Sequence, residues 1–268
     1  VSTASAYERA RSEGRAALVG YLPAGYPDHD GAVDALKVMV DAGCDVIEIG
    51  LPYTDPVMDG PVIQAAAQAA LEGGTRTTDV LRTVEAVAAT GVPTLVMTYW
   101  NPVERYGVEK FAASLADAGG AGLITPDLTP DFAPEWIAAA DEHDLDKVFL
   151  VSPSSTDERI TMTTAECRGF VYATAVMGVT GARTTTSGLA GPLVERTKRL
   201  TAQPALPVGV GLGVSNGAQA ADVAQFADGV IVGSAFVRTL LDHRDDRAAG
   251  LAALRTLTED LARGVRGG

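Results

Sequence analysis

The chain is short of the residues that usually carry metal and redox chemistry, with two Cys and three His among 268 residues. Cys44 and Cys167 lie far apart, with no Cys-x-x-Cys pairing and no His beside either. A structural zinc site needs about four Cys or His ligands, so no metal is expected. The two thiols read as reduced groups in apolar surroundings, which fits a cytoplasmic protein. His29 (PDHDG), His143 (DEHDL) and His243 (LDHRD) sit in acidic, polar contexts and read as solvated surface groups. No mechanism is expected to depend on them. Positive charge is also scarce: 21 Lys and Arg face 34 Asp and Glu, for a net charge of −13. Such a chain is a poor candidate for nonspecific binding to nucleic acid or anionic membrane. A local phosphate pocket remains open to it, because backbone N–H groups hold anions without Lys or Arg. Long apolar runs are missing, and the N-terminal VSTASAYERARSEGR is polar, so neither a membrane span nor a signal peptide is expected. With 47% hydrophobic and 21% charged residues the chain is not disordered.

What the chain does contain is a regular alternation. Short apolar runs occur at Ala17–Leu22, Asp45–Ile49, Pro93–Thr98, Ala121–Thr125, Val148–Ser152, Phe170–Ala175, Pro207–Gly211 and Gly229–Gly233. Runs of this kind read as parallel strands buried on both faces. Between them lie amphipathic stretches, among them Gly31–Ala42, Thr77–Ala89, Asp131–Asp141 and Asn216–Phe226, and Leu251–Arg263 closes the chain. In the first of these Val33, Leu36, Lys37 and Val40 have helical spacing. Gly43 and Gly91 stop the first two, and Asn216 suits an N-cap. Eight strands with intervening helices predict a single-domain (β/α)8 TIM barrel over residues 1–268, with a short N-terminal helix. A doubly wound sheet is the alternative, since pattern alone does not show closure.

Active sites of such barrels sit at the C-terminal ends of the strands. Glu48 stands inside one strand, sharing a face with Val46 and Gly50. A carboxylate there is either paired with a distant Arg or desolvated, its pKa raised for general acid–base work. The second reading is our expectation. Asp59 follows on the loop YTDPVMDGP, where it serves as a turn residue, a helix cap or a second carboxylate with a separate electrostatic role. Pro61 suits the first turn of the helix that follows. Glycines cluster after three neighbouring strands, in MGVTG (177–181), GVGLGVS (209–215) and at Gly233-Ser234. They suggest a phosphate site built from backbone amides. The G-x-G-x-G spacing does not match a dinucleotide fingerprint. Tyr21, Tyr99, Trp100 and Tyr172 near strand ends hint at a flat apolar ligand group, although aromatics there are often packing.

The segment IEIGLPYTDPVMDGPVIQAA (47–66) strongly resembles the signature of the tryptophan synthase alpha chain family. YLPAGYPD, MTYWNP, ITPDL, VSPSS, GVTGAR, GLGVS and VGSA fall in that family's order and spacing, so the resemblance runs from Tyr21 to Val237. It implies a TIM barrel, and a lyase of tryptophan biosynthesis that splits indole-3-glycerol phosphate into indole and glyceraldehyde 3-phosphate. By resemblance Glu48 is the proton-carrying carboxyl and Asp59 the carboxylate that accepts the indole N–H. Tyr21, Tyr99 and Tyr172 fall on the indole side. Gly181, Gly213, Gly233 and Ser234 match phosphate-binding positions, and Thr180, in a lid spanning Met177–Gly188, helps hold Asp59. Val176, Tyr21 and Leu212 depart from other members, which bears on indole and phosphate contacts rather than on the reaction.

The resemblance also implies a partner, the tryptophan synthase beta chain, in an alpha2-beta2 heterotetramer. Pyridoxal phosphate is expected in that beta chain and no cofactor in this one. Two other readings are a non-catalytic activator of the beta chain, against which intact Glu48 and Asp59 argue, and a stand-alone lyase. A phosphate-sugar isomerase on a similar barrel would need acid–base residues at the ends of strands one and six, where this chain offers only tyrosines.

Overall fold

Strand-forming runs and amphipathic stretches alternate along the chain, and in the computed structural model they close on themselves. The structure describes residues 2–174, 188–203, 205–211 and 213–267. The first half comprises α1 (Ala4–Ser12), β1 (Ala17–Pro23), α2 (His29–Asp41), β2 (Val46–Gly50), α3 (Pro61–Glu72), α4 (Thr77–Ala88), β3 (Thr94–Met97), α5 (Trp100–Tyr106), α6 (Val108–Asp117) and β4 (Gly122–Ile124). The second comprises α7 (Pro134–Glu142), β5 (Asp146–Val148), β6 (Leu150–Val151), α8 (Asp157–Glu166), β7 (Val171–Thr174), α9 (Ala190–Leu200), β8 (Val208–Gly211), α10 (Gly217–Ala224), β9 (Gly229–Val232), α11 (Ser234–Asp242) and α12 (Arg247–Gly264).

All strand pairs are parallel, in the order β5-β4-β3-β2-β1-β9-β8-β7-β6. The two ends of that order, β5 and β6, are consecutive in sequence and separated only by Phe149. One run of chain therefore pairs with β4 on one side and β7 on the other, so the nine segments form eight staves of a closed barrel. The expected fifth strand, Val148–Ser152, is thus shifted and divided: it starts at Asp146 and breaks at Phe149, whose carbonyl accepts from the Tyr172 N–H at 3.1 Å.

Helix boundaries follow local chemistry. Asp28 caps α2 by accepting from the Gly31 N–H, and its buried face is Ala32, Val33, Ala35, Leu36 and Met39. Lys37, grouped with that face by spacing, is exposed. Pro61 is the first residue of α3, as its fixed φ favours. The helix expected over Asp131–Asp141 begins only at Pro134, because Pro130–Phe132 forms a separate 3-10 turn before it. Asn216 caps α10 through the Gln219 N–H. The final helix, α12, starts four residues before the Leu251–Arg263 stretch, because Asp246 caps it ahead of Arg247. Among the described residues no helix is long and apolar enough to cross a membrane.

The N-terminal helix α1 closes the bottom of the barrel. Tyr7 packs into an interior cluster with Val19, Val46, Leu95, Ile124 and Ile231. Glycines make this interior possible. A Cβ on Gly209 or Gly229 would meet the Tyr7 ring or its hydroxyl, one on Gly211 the Tyr172 hydroxyl, and one on Gly50 the Tyr21 hydroxyl. Three inward tyrosines thus occupy space that strand side chains would otherwise fill. Gly209 and Gly211, read from sequence as part of an anion-binding cluster, are required by barrel packing.

Three aspartates lock the bottom rim. Asp45 accepts a forked contact from Arg15 at 2.7 and 2.9 Å and the Leu18 N–H at 2.9 Å. Asp228 accepts the Val208 N–H and pairs with Lys198 at 3.0 Å. Asp146, completely buried, accepts from Thr3 N and Thr3 Oγ1, both at 2.7 Å, and from Ser2 Oγ at 2.8 Å, tying α1 to the start of β5. Replacing Asp146 with Ala leaves the buried Thr3 donors without their acceptor. Asp146→Ala is expected to lower stability by about 3 kcal/mol, read as a lower urea midpoint with an unchanged slope.

Candidate active site

At the opposite rim the strand ends gather the chemistry. Glu48 is the third residue of β2, its side chain directed inward, and it is only 1% exposed. No ion pair reaches it among the described residues, and its Oε1 is buried without a hydrogen-bond partner. The alternative of a distant Arg partner is therefore not realised there. Burial alone pushes its pKa up to about 8, since the low-dielectric interior disfavours the charged form. Tyr21 lies beside it, paired in register across β1 and β2. Tyr172 enters from β7, with its hydroxyl at Gly211. The Tyr21 and Tyr172 phenols are held well above their usual range by burial first, with nearby carboxylate charge adding to it. Both stay neutral at working pH.

Asp59 is held by the loop that leaves β2. Its Oδ1 accepts a hydrogen bond from the Tyr99 hydroxyl at 3.0 Å, while that hydroxyl accepts from the Met58 N–H at 3.0 Å. Gln64, one turn into α3, donates to the Asp59 carbonyl at 2.8 Å. Partial burial raises the Asp59 pKa, and the Tyr99 hydroxyl opposes that rise. Tyr99 was expected on the indole side; its hydroxyl bonds the second carboxyl, across 40 positions of sequence. Trp100, also singled out among the aromatics, opens α5. Its backbone N–H donates to the Asp127 carboxylate at 3.0 Å, and its side chain packs against the outer core.

Gly233 and Ser234 stand at the junction of β9 and α11, where Gly233 caps the helix and also faces the Tyr21 ring. Gly213 follows β8 with φ +72°, a conformation natural to glycine, ahead of α10. The N-terminus of α11 directly follows β9 and brings backbone N–H groups and the positive end of its dipole to that strand end. In α10, by contrast, the Gly217 N–H is taken by Asp260 and the Gln219 N–H by Asn216. Thr180, Gly181, Val176 and Leu212 lie outside the described residues, as does the expected lid apart from Gly188.

The histidines are half-buried rather than solvated. His143 contacts Glu109 at 2.7 Å, and His243 Nδ1 donates to the Thr239 carbonyl. His29 Nδ1 lies 3.4 Å from Thr83 Oγ1, and all three are remote from Glu48 in the fold. Cys44 and Cys167 are buried free thiols, both held neutral by burial. Among the described residues no group of three or more His, Cys, Asp or Glu gathers as metal ligands. Sequence reasoning overlooked Tyr7. The signal available was the spacing of Ala6, Tyr7 and Ala10, the buried face of α1.

Comparison with known proteins gives this geometry its relatives. A chain from Salinispora arenicola named tryptophan synthase alpha chain is 63% identical over 261 residues, covering 97% of this chain and 96% of its own. Its counterpart in Acidothermus cellulolyticus is 60% identical over the same span. A solved structure of Mycobacterium tuberculosis tryptophan synthase superposes with a TM-score of 0.92 at 55% identity, covering 99% of this chain and 98% of that one. Tryptophan synthase subunit alpha from Legionella pneumophila superposes at 0.90 with only 29% identity. The family description "Tryptophan synthase alpha chain" matches residues 7–266, a span that holds Glu48, Asp59 and every strand of the barrel, and the chain belongs to that family.

Proposed function

We propose that this chain cleaves indole-3-glycerol phosphate to indole and glyceraldehyde 3-phosphate, with Glu48 as the proton carrier and Asp59 as the electrostatic partner. Family membership supports the reaction. The observation that carries the residue roles is the pairing of two unlike carboxyl groups on one strand–loop unit. Glu48 is buried, its Oε1 without a partner among the described residues, whereas Asp59 is hydrogen-bonded by Tyr99.

Burial raises both pKa values, but only Asp59 has a donor that opposes the rise, and each environment suits one half of the reaction. Protonated Glu48 gives its proton to indole C3, which converts the ring to an indolenine carrying positive charge at nitrogen. Ionised Asp59 accepts the indole N–H and balances that charge. Glu48, now a carboxylate, takes the proton from the side-chain hydroxyl next to the ring. The C–C bond breaks, its electron pair restores the aromatic ring, and the hydroxyl carbon becomes the aldehyde. Glu48 ends as it began, so no outside acid or base is consumed. Tyr21 and Tyr172 would flank the indole. The backbone N–H groups at Gly213, Gly233 and Ser234, with Gly181 and Thr180 from the lid, would hold the phosphate and close the site. Released indole would pass to a partner beta chain, which would carry the pyridoxal phosphate for the next step.

Glu48→Gln keeps the shape and removes the titratable proton, so turnover is expected to fall by at least about a hundredfold in an indole-release assay with the beta chain present. Near-normal turnover would refute the assignment. The rate is expected to decline as pH rises through about 8, because Glu48 loses its proton there. At the acid end the rate should fall as Asp59 is protonated. Tyr99→Phe removes a donor that favours ionised Asp59, so the acid limb of kcat should move to higher pH. An acid limb that stays in place in Tyr99→Phe would show that Asp59 does not set it.

A further inference from the structure

Tyr7 brings a hydroxyl into the floor of the barrel. Its ring lies 5.2 Å from Phe170, which lies 6.5 Å from Tyr172. Its oxygen stands 2.7 Å from where a Cβ would sit on both Gly209 and Gly229, so two strands forgo side chains around it. A phenylalanine would fill the same hydrocarbon space. Yet the hydroxyl is present, buried, and without a hydrogen-bond partner among the described residues. Native interiors rarely keep such a group unsatisfied. Glu48 Oε1 is a second unpartnered atom in the same interior. Glu48 follows Val46 along the inward face of β2, and Val46 packs in the cluster that contains Tyr7. One atom is a donor and the other belongs to a carboxyl group, and a polar pair of this kind can hold an internal water.

We propose that Tyr7 is a positioning residue for Glu48, its hydroxyl reaching the carboxyl from the barrel floor through one internal water. This rests on the reading of Glu48 as the proton carrier and adds to it the group that steadies the carboxylate formed after C3 is protonated. The surroundings leave Tyr7 suited to the role. Glu48 is the carboxyl whose charge bears most on the Tyr7 phenol; Asp228, Tyr172 and Asp45 bear on it less. Asp228 and Asp45 are already paired with Lys198 and Arg15 at the rim. Glu48 is also faced by Tyr21 from β1 and Tyr172 from β7, and Asp59 bears on Tyr21 from the loop after β2. The buried phenols of Tyr7, Tyr21 and Tyr172 remain neutral, so Tyr7 acts as a neutral donor that favours ionised Glu48.

The test is an infrared pH titration of the protonated Glu48 carboxyl in the full chain, its band identified by its loss in Glu48→Gln. In Tyr7→Phe the midpoint is expected to rise by about one pH unit. The alkaline limb of kcat should move with it while KM stays unchanged. Tyr7→3-fluorotyrosine keeps the hydroxyl as a stronger donor and should move the midpoint the other way. A purely structural role for Tyr7 would lower the melting temperature or the rate without moving either midpoint, and unmoved midpoints in both variants would overturn the proposal. Glu48→Gln that retains turnover would instead overturn the reading of Glu48 itself.

Discussion

A buried carboxyl group with no cation beside it among the described residues is the constraint from which the rest of the site follows. Glu48 has no cation beside it among the described residues, and the interior around it is built from Val, Leu, Ile and aromatic side chains. Ionising it there would forfeit hydration with nothing in return, so the proton stays on near neutrality. That requires bulk solvent to be kept from below, where α1 and Tyr7 close the barrel. It also requires that the inward tyrosines fit, and they do so because Gly50, Gly209, Gly211 and Gly229 carry no side chains. A core choice, glycine opposite tyrosine, is thus part of what sets the protonation state of Glu48.

The two rims of the barrel divide the labour. At the bottom, Asp45, Asp146 and Asp228 are saturated by backbone donors and by Arg15 and Lys198, and they tie strand starts to one another and to α1. At the top, carboxyl groups are left with sparse company: among the described residues Asp59 has one side-chain donor and Glu48 none. Satisfied acids secure the scaffold, while under-satisfied acids retain the proton affinity that chemistry needs. This is the usual partition between the stability face and the catalytic face of such barrels. The net charge of −13 does not oppose phosphate binding at the top, because the candidate donors there are backbone amides and helix ends rather than side-chain cations.

Much of the fold and part of the site could be read along the chain. Seven of the eight staves sit within one residue of their apolar runs, because burial on both faces forces near-continuous apolar composition. The fifth was misplaced since its buried start, Asp146-Lys147, is charged and looks like loop. The helix at Pro134 was expected too early because the polar 3-10 turn at Pro130–Phe132 carries no periodic signal of its own. Glu48 stood out as a charge at an inward strand position. Gly209 and Gly211 were assigned to anion binding because a glycine reports only the absence of a side chain, and the tyrosines that need that absence are distant in sequence. Tyr99 and Asp59, and Tyr7 and the strand glycines, meet only once the barrel has closed.

By itself the sequence determined the β/α repeat, the resemblance to the family, and which carboxyl groups were out of place, since all of these are written in local periodicity and contiguous motifs. Closure of the sheet was decided by the pairing of one run of chain with both β4 and β7. Only the tertiary structure decided that no described cation pairs with Glu48, that Tyr99 holds Asp59, and that α1 lends a hydroxyl to the barrel floor. Those outcomes depend on which side chains share a low-dielectric space. Pattern along a chain tells which way a residue points, but not what it meets there.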